Sequence, residues 1–197
     1  MSGAGQSDDP DARPIARGVR PGWDTGDWSG LPPVAIRPYD PHWPDDYEQA
    51  RRTIADVLDG LTVAIEHIGS TAVPGLCARR GIDIMIGLSH PTELPVAVER
   101  LRSLGYEHHF SQSEWTHLSG GGCKLHLTPL GSTRWTEHLL FRDHLRGHPD
   151  DRDAYGRLKE ERARAYGADG QQYVASKTAF VKAIVEQARA ASDPSPD

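Results

Sequence analysis

The chain has 197 residues, of which 37% are hydrophobic and 25% are charged, and this composition is typical of a globular protein with one ordinary domain. Its formal net charge of −6 argues against a protein that binds nucleic acid irrespective of sequence, because such proteins carry a surplus of Lys and Arg. Since neither a run of about 18 apolar residues nor a basic-then-apolar leader is visible, we expect no membrane partner and a cytoplasmic location.

Composition divides the chain into a central domain and two tails. Residues 1–33 include 11 Gly or Pro and show no periodic apolar pattern, so they can bury little surface in a core. We predict that this segment is a disordered or loosely docked tail, in which Trp23 and Trp28 are the only aromatic residues. A folded domain is predicted over residues 34–190, and residues 191–197 are predicted to be disordered.

The apolar periodicity of the central domain predicts strands interspersed with helices, and then helices alone. Strands are predicted over residues 34–40, 62–69 and 82–88, and two or three more over 106–110, 114–118 and 123–129. Helices are predicted over residues 44–59, 93–104, 133–146, 150–166 and 173–190. This order indicates an α+β domain, in which a small mixed β-sheet is covered by helices and the C-terminal part is helical.

One carboxylate stands in an otherwise apolar predicted strand, "IDIMIGL". Alternation places the isoleucines of this strand on one face, and Asp83 and Met85 on the other. Burying a lone carboxylate costs free energy unless a cation or several hydrogen-bond donors contact it. Asp83 is therefore either a structural acid, which caps a loop or pairs with an arginine, or part of a functional site.

The predicted strand "CKLHLTP" carries further polar groups. Lys124 and His126 share one of its faces, so either side chain lies beside Asp83 if the two strands are neighbours. A lone histidine on a strand usually makes an ordinary hydrogen bond, and this interpretation applies to His67 as well as to His126. Asp83, His67 and His126 could also form a transition-metal site, although ligands on three separate strands have no diagnostic spacing.

Several cations lie on the apolar faces of the predicted C-terminal helices. Lys177 falls within the apolar stripe of the last helix, and Lys159 within that of the helix before it. Arg142 and Arg146 align with apolar residues of "WTEHLLFRDHLR". Any one such side chain can extend its charged end into water. A shared anionic ligand would instead give all of them a partner, and each charge-assisted contact contributes about 1.5–3 kcal/mol.

The stretch "EHIGSTAVPG" places a Gly-Ser turn directly after a predicted strand. The backbone N–H groups of such a turn and the Ser70 hydroxyl can bind a phosphate, since Gly69 lets an anion approach the main chain. The turn is not a Walker loop, because no Gly-Lys-Ser/Thr follows it, and no GxGxxG or GxSxG motif lies nearby. The P-loop, Rossmann and serine-hydrolase interpretations therefore lose support.

The combination of these segments resembles a known family. The chain is similar to the GrpB family, which resembles the DNA polymerase beta-like nucleotidyltransferase superfamily, in "EHIGSTAVPGL", "GIDIMIGL", "LHL", "LLFRDHLR", "AYGRLK" and "YVASKTAFV". The resemblance covers about residues 34–190 and implies a nucleotidyltransferase-like fold. Some relatives are fused to dephospho-coenzyme A kinase, which suggests a link to nucleotide metabolism.

The resemblance implies roles for three residues and also reveals departures from the superfamily pattern. Gly69 and Ser70 match the Gly-Ser motif that holds a triphosphate, and Asp83 matches the first metal-binding carboxylate, for which Mg²⁺ is the expected ion. Met85 stands where active members carry a second acid, and His126 stands where a later strand supplies a further acid. A single carboxylate implies at most one weakly held ion.

Two further departures place cations close to the expected pocket. The family usually has Lys-Pro before its isoleucine-aspartate pair, whereas this chain has Arg79 and Arg80 followed by Gly81, so the positive charge is retained with a different geometry. Lys124 stands where the family has the first histidine of a His-Leu-His segment.

Three functions are consistent with these residues. The first is a metal-assisted nucleotidyltransferase that uses a nucleoside triphosphate to modify a small molecule or a protein, with Asp83 and Ser70 as its catalytic residues. The second is a non-catalytic module that binds a nucleotide or another phosphorylated metabolite, an interpretation that Met85 favours. The third is an interaction scaffold that uses the N-terminal tail. The predicted ligand-binding residues are Gly69, Ser70, His67, Arg79, Lys124, His126, Arg142, Lys159 and Lys177.

Overall fold

The computed structural model describes residues 34–61, 63–112 and 114–192. The predicted N-terminal tail with its two tryptophans lies outside the described residues, as do residues 193–197 of the predicted C-terminal tail. Among the residues that are described, no helix has both the length and the apolar character that a bilayer crossing requires.

Five strands and six α-helices are found in the described ranges. The strands are β1 (Val63–Ile68), β2 (Ile82–Leu88), β3 (Glu107–Gln112), β4 (Trp115–Gly120) and β5 (Cys123–Pro129). The helices are α1 (Trp43–Val57), α2 (Leu94–Ser103), α3 (Thr133–Gly147), α4 (Pro149–Tyr166), α5 (Gly170–Ala175) and α6 (Thr178–Ser192). A 3-10 turn over Ser70–Ala72 directly follows β1.

The strands form one mixed sheet in the order β1-β2-β5-β4-β3. β2 and β5 are parallel neighbours, and the pairs β1·β2, β4·β5 and β3·β4 are antiparallel. The mixed sheet with its helices confirms the predicted α+β fold class. Because β2 and β5 are neighbours, Asp83 lies opposite Lys124, and Met85 lies opposite His126.

One face of the sheet, which we call the α1–α2 face, holds the larger part of the core. Ile84 and Ile86 of β2 and Leu125 of β5 have no exposed surface, and they pack with Ile54 of α1 and Leu101 of α2. Ile84 and Ile86 are two positions apart, so alternation directs both to the same side, and Leu125 pairs with Ile84 and shares that side. Removal of their apolar surface from water is the main stabilising contribution on this side of the sheet.

The opposite face, which we call the Asp83 face, packs in part against α3. Met85 is fully buried there against Trp135 of α3. A Cβ atom at position 87 would lie only 2.7 Å from the Trp135 ring, so Gly87 allows α3 to approach β2 closely. The C-terminal helices therefore border the strand residues that surround Asp83.

The predicted strand over residues 34–40 is wrong. These residues contribute one isolated bridge, in which Arg37 N donates to Ala78 O at 2.8 Å and Ala78 N donates to Arg37 O at 2.9 Å. Pro38 follows immediately, and proline has no N–H group with which to continue a ladder of hydrogen bonds.

The last predicted helix is also wrong as a single element, because it consists of the two helices α5 and α6. The Ser176 hydroxyl donates to Tyr173 O at 2.9 Å, and Lys177 N donates to Val174 O, three residues back, at 3.2 Å. A serine side chain that takes a backbone carbonyl in this way competes with the helical bond to that carbonyl. α5 also begins earlier than predicted, at Gly170, where the Asp169 side chain caps the helix.

Candidate functional site

The Gly-Ser turn lies directly against the acid of the next strand. Gly69 follows β1 with φ +71°, and a Cβ atom at this position would lie 2.8 Å from Oδ2 of Asp83. A larger residue would therefore be strained and would also collide with the carboxylate. Ile68, the last residue of β1, pairs with Asp83 in the sheet, so the register itself brings the turn and the acid together.

Asp83 is held by two cationic or polar groups of β5. Nε2 of His126 lies 3.2 Å from its Oδ1, and Nζ of Lys124 lies 3.8 Å from the same oxygen. Burial alone would raise the pKa of Asp83, but the charges of Lys124 and Arg79 and the hydrogen bond from His126 outweigh it and hold the pKa well below its usual range. The carboxylate is therefore ionised and partly neutralised from within the protein.

Lys159 of α4 reaches the Gly-Ser turn from the C-terminal helices. Its Nζ donates to Oγ of Ser70 at 2.8 Å and also to the backbone oxygen of Cys77. The residue is only 2% exposed, and its ammonium lies 5.5 Å from the centroid of the Tyr155 ring. Burial lowers the pKa of Lys159 to about 8, and the nearby charge of Arg79 acts in the same direction.

Lys177 and Arg79 meet at a second tyrosine ring. Nζ of Lys177 lies 3.8 Å from the centroid of the fully buried Tyr173 ring, and Cζ of Arg79 lies 5.5 Å from it. Burial lowers the pKa of Lys177 to about 7, with further contributions from the charges of Arg79, Lys159 and Lys124. Contacts of this kind between a cation and a ring stabilise the cation by about 0.5–2 kcal/mol.

The structure brings most of the predicted site residues together, around the start of the 3-10 turn and the adjacent ends of β2 and β5. We call this group the cation cluster. Its members are Gly69, Ser70, Arg79, Asp83, Lys124, His126, Lys159 and Lys177.

His67 is a predicted ligand-binding residue that points away from the cation cluster. It pairs with Ile84 and shares the α1–α2 face, where its ring stacks on Tyr47 at a centroid distance of 4.5 Å. Its Nε2 lies 2.9 Å from Oγ1 of Thr71. Burial, with the charge of Arg146, lowers the pKa of His67 to about 4, so the ring is neutral at physiological pH.

Arg142 is a second predicted ligand-binding residue that has internal partners. Its Nη1 donates to Oε2 of Glu66 at 2.7 Å and to the backbone oxygen of His67 at 3.0 Å. Its Nε and Nη2 donate to the two carboxylate oxygens of Asp143, at 2.7 and 2.9 Å. The guanidinium thus links α3 to β1, and all three of its nitrogens donate hydrogen bonds within the protein.

Comparison with known proteins identifies the family. A family model described as GrpB protein matches residues 33–187. The chain belongs to the GrpB family. A UPF0157 protein of Halalkalibacterium halodurans is 32% identical over 162 residues, which are 80% of this chain and 83% of that relative.

Solved structures include a second GrpB-family protein. The crystal structure of the conserved protein GrpB from Enterococcus faecalis has a TM-score of 0.72 and 28% identity, and it covers 78% of this chain and 96% of that one. The Cid1 poly(U) polymerase bound to MgATP has a TM-score of 0.46 and 13% identity over 62% of this chain and 45% of that one.

The residues around Asp83 in this GrpB-family chain do not fit a Mg²⁺ site. Mg²⁺ requires several oxygen ligands, but Asp83 supplies one carboxylate whose Oδ1 already contacts His126 and Lys124. Met85, at the position of the expected second acid, is buried against Trp135. Within the described ranges, no group of three or more His, Cys, Asp or Glu could hold a metal ion.

The faces of the sheet also argue against the alternative transition-metal site of Asp83, His67 and His126. His67 lies on the α1–α2 face, whereas Asp83 and His126 lie on the opposite face of the sheet. The three side chains therefore do not converge on one point.

Sequence reasoning missed the two tyrosines and the backbone oxygen that hold the lysines. A signal for the rings was present, because Tyr155 precedes Lys159 by four residues and Tyr173 precedes Lys177 by four residues. Residues four apart on one helix are neighbours on its surface, so this repeated Tyr-x-x-x-Lys spacing in two predicted helices predicts a ring beside each ammonium. The contact of Lys177 with Tyr173 is present although Lys177 lies in the break between α5 and α6. The oxygen of Cys77 carries no sequence signal, since any residue type presents the same backbone group.

Proposed function

We propose that the cation cluster of this GrpB-family chain binds a phosphorylated small molecule, such as a nucleotide or another phosphorylated metabolite, without a metal ion. The observation that carries this proposal is the local charge: Arg79, Lys124, Lys159 and Lys177 all interact electrostatically with one carboxylate, Asp83, in a chain whose formal net charge is −6. Cations that lie close together and are partly buried destabilise one another, and an anionic ligand offsets that cost.

Three of these cations have neutral contacts. Lys124 lies 3.8 Å from the Asp83 carboxylate, whereas Lys159 contacts a hydroxyl and a carbonyl oxygen. Lys177 and Arg79 lie beside the Tyr173 ring. A phosphate near Ser70 would supply oxygen acceptors to all three, and each charge-assisted hydrogen bond contributes about 1.5–3 kcal/mol.

Titration calorimetry with pyrophosphate tests this proposal, and Asp83→Asn sharpens the test. We expect pyrophosphate to bind in EDTA at least as tightly as in Mg²⁺. Asp83→Asn removes a negative charge beside the turn but keeps an oxygen for His126, so it should strengthen binding, by roughly tenfold in a partly polar site.

The matched control is Asp150→Asn, which removes an exposed carboxylate at the start of α4 and should change the affinity less than about twofold. Binding that requires Mg²⁺, or that weakens in Asp83→Asn, would contradict the proposal and favour a metal-dependent site. If pyrophosphate binds under none of these conditions, the binding proposal is refuted.

The affinity for pyrophosphate is expected to fall as the pH rises from about 6 to about 9. An anion binds the protonated lysines, and the pKa values of Lys177 and Lys159 are lowered to about 7 and about 8, so both are charged below this window and neutral above it. Each lysine contributes at most about a tenfold loss per pH unit. Calorimetry at several pH values measures the slope.

Sulfate, whose charge is constant over this pH range, serves as the control ligand for the titration of pyrophosphate itself. An affinity for sulfate that does not change between these pH values would show that neither lysine takes part in binding.

A nucleotidyltransferase is the second candidate, and the contact between Gly69 and Asp83 favours it, because the Gly-Ser turn then lies beside an ionised acid. Its test is release of pyrophosphate from each nucleoside triphosphate with Mg²⁺ and cell extract. Release that Asp83→Ala abolishes would support this candidate, and an equal background in both proteins would refute it.

A further inference from the structure

Ser70 and Lys159 form an unusual pair for a site that only binds phosphate. Their side-chain atoms Oγ and Nζ lie 2.8 Å apart, the distance of a direct hydrogen bond. Ser70 is partly exposed at the start of the 3-10 turn, whereas Lys159 is 2% exposed. A reagent can therefore reach the hydroxyl, while the amine behind it is shielded from water.

A third group orients the amine. Lys159 Nζ also donates to the backbone oxygen of Cys77, which fixes the amine against the turn. Reactive serines have this arrangement in general: a nucleophile within hydrogen-bond reach of a base, and a base oriented by another group. Lysine serves as the base of serine nucleophiles on unrelated folds.

The surroundings of Lys159 allow it to lose its proton. Burial lowers its pKa to about 8, so roughly one molecule in ten carries a neutral amine at pH 7. The direct contacts of Nζ are with neutral groups. The titratable and charged groups that face it from the packed elements are Tyr155, Cys77, Arg79, Asp83, Glu160 and Lys177.

We propose that Ser70 is a nucleophile that accepts a phosphoryl group from the bound ligand, and that Lys159 is its general base. This step rests on the proposed binding of a phosphorylated molecule. The bond from Ser70 Oγ to phosphorus forms as the bond from phosphorus to the leaving oxygen breaks. The hydroxyl proton moves to Nζ of Lys159 and then to the leaving oxygen, so no further reactant is consumed.

The cations explain why phosphorus is the electrophile that we expect. Arg79 and Lys177 lie beside the same Tyr173 ring, and the charges of Arg79 and Lys159 both contribute to the lowered pKa of Lys177. Positive groups beside the reacting centre neutralise the oxygens of a phosphoryl group as it is transferred. An uncharged acyl donor would gain less from them on binding, because its oxygen becomes negative only during the reaction.

Reaction of the natural chain with a fluorophosphonate probe tests the proposal. The probe presents a phosphorus centre with fluoride as the leaving group, and peptide mass spectrometry locates the adduct. We expect one adduct, at Ser70, and a rate that rises with pH with a midpoint at about pH 8, as Lys159 loses its proton, and then reaches a plateau. This pH profile distinguishes a base from a residue that only supports the turn.

Variants assign the two roles. Ser70→Ala should give no adduct, and Lys159→Arg should react at least about 100-fold more slowly, because arginine keeps the charge but does not act as a base. Ser103→Ala, which changes an exposed serine of α2, is the control and should react at the natural rate. No adduct at Ser70 in the natural chain, or equal rates in Lys159→Arg, would overturn the proposal.

Pyrophosphate calorimetry on the same preparations separates the two proposals. A natural chain that binds pyrophosphate but does not react with the probe leaves the binding proposal standing and refutes the nucleophile. Failure of pyrophosphate binding refutes the binding proposal, whatever the probe does.

Discussion

The double variant Lys159→Met/Lys177→Met is expected to bind pyrophosphate about 100-fold more weakly than the natural chain, or weaker still. Each charge-assisted contact contributes about 1.5–3 kcal/mol, and two are lost together. Methionine has a similar length and fills the same space beside Tyr155 and Tyr173, so the pocket should keep its shape. Titration calorimetry at pH 6, where both lysines carry a charge, measures the effect at its largest.

The same variant should also differ in how its free energy of unfolding depends on pH. Burial lowers the pKa of both lysines below the ordinary 10.5, so between about pH 7 and pH 10.5 the unfolded chain binds more protons than the folded chain. The natural chain therefore gains stability as the pH rises through this range, and the double variant should lack that part of the gain. Urea unfolding at pH 7 and pH 9 makes the comparison.

The matched control is Arg157→Met/Lys182→Met, which removes two exposed cations of α4 and α6. Its net charge equals that of the first double variant, so any long-range effect of charge on binding is shared. Similar affinities of the two double variants would mean that Lys159 and Lys177 do not contact the ligand.

Arg142→Met is expected to lower the free energy of unfolding by about 2–3 kcal/mol. The variant removes the hydrogen bonds of an arginine that is 8% exposed, so Glu66 and the backbone oxygen of His67 lose this donor, and Asp143 keeps its contact with Arg146. Loss of one partner from a fully buried ion pair costs more, about 3–5 kcal/mol, but both carboxylates here are partly exposed and can be hydrated. Chemical denaturation at pH 7 measures the loss.

Arg157→Met, a change at an exposed arginine of α4, is the control and should alter stability by less than about 0.5 kcal/mol. An Arg142→Met protein of natural stability that no longer binds pyrophosphate would contradict the structural role and would return Arg142 to the ligand site.

Alternation along two strands was sufficient to predict the polar centre of the Asp83 face. Asp83 interrupts an isoleucine strand with period two, and Lys124 and His126 share a face of theirs, so their proximity needed only one assumption, that the strands pair. The observed β2·β5 register confirms that assumption. The parallel direction of the pair and the strand order depend on crossovers distant in the chain, which no local pattern specifies.

His67 and Arg142 illustrate what local patterns could not predict. The direction of His67 depends on its register with Ile84, and a shift of one residue would turn it to the other face. The partner of Arg142 is Glu66, 76 positions away in the chain, and a helical stripe alone does not distinguish an arginine that contacts a ligand from one that contacts a strand. The break before α6 depends on one side-chain hydrogen bond of Ser176, which propensity cannot anticipate.

The repeated Tyr-x-x-x-Lys spacing has a consequence for the proposed binding of an anion. Each ammonium already lies near the ring of the tyrosine four residues before it, so the side-chain rotamers are restricted before any ligand binds. Immobilising a long side chain costs about 0.5–1.5 kcal/mol on association, and here folding has largely met that cost. Preorganisation of this kind lets a small, strongly hydrated ion be held by a few contacts.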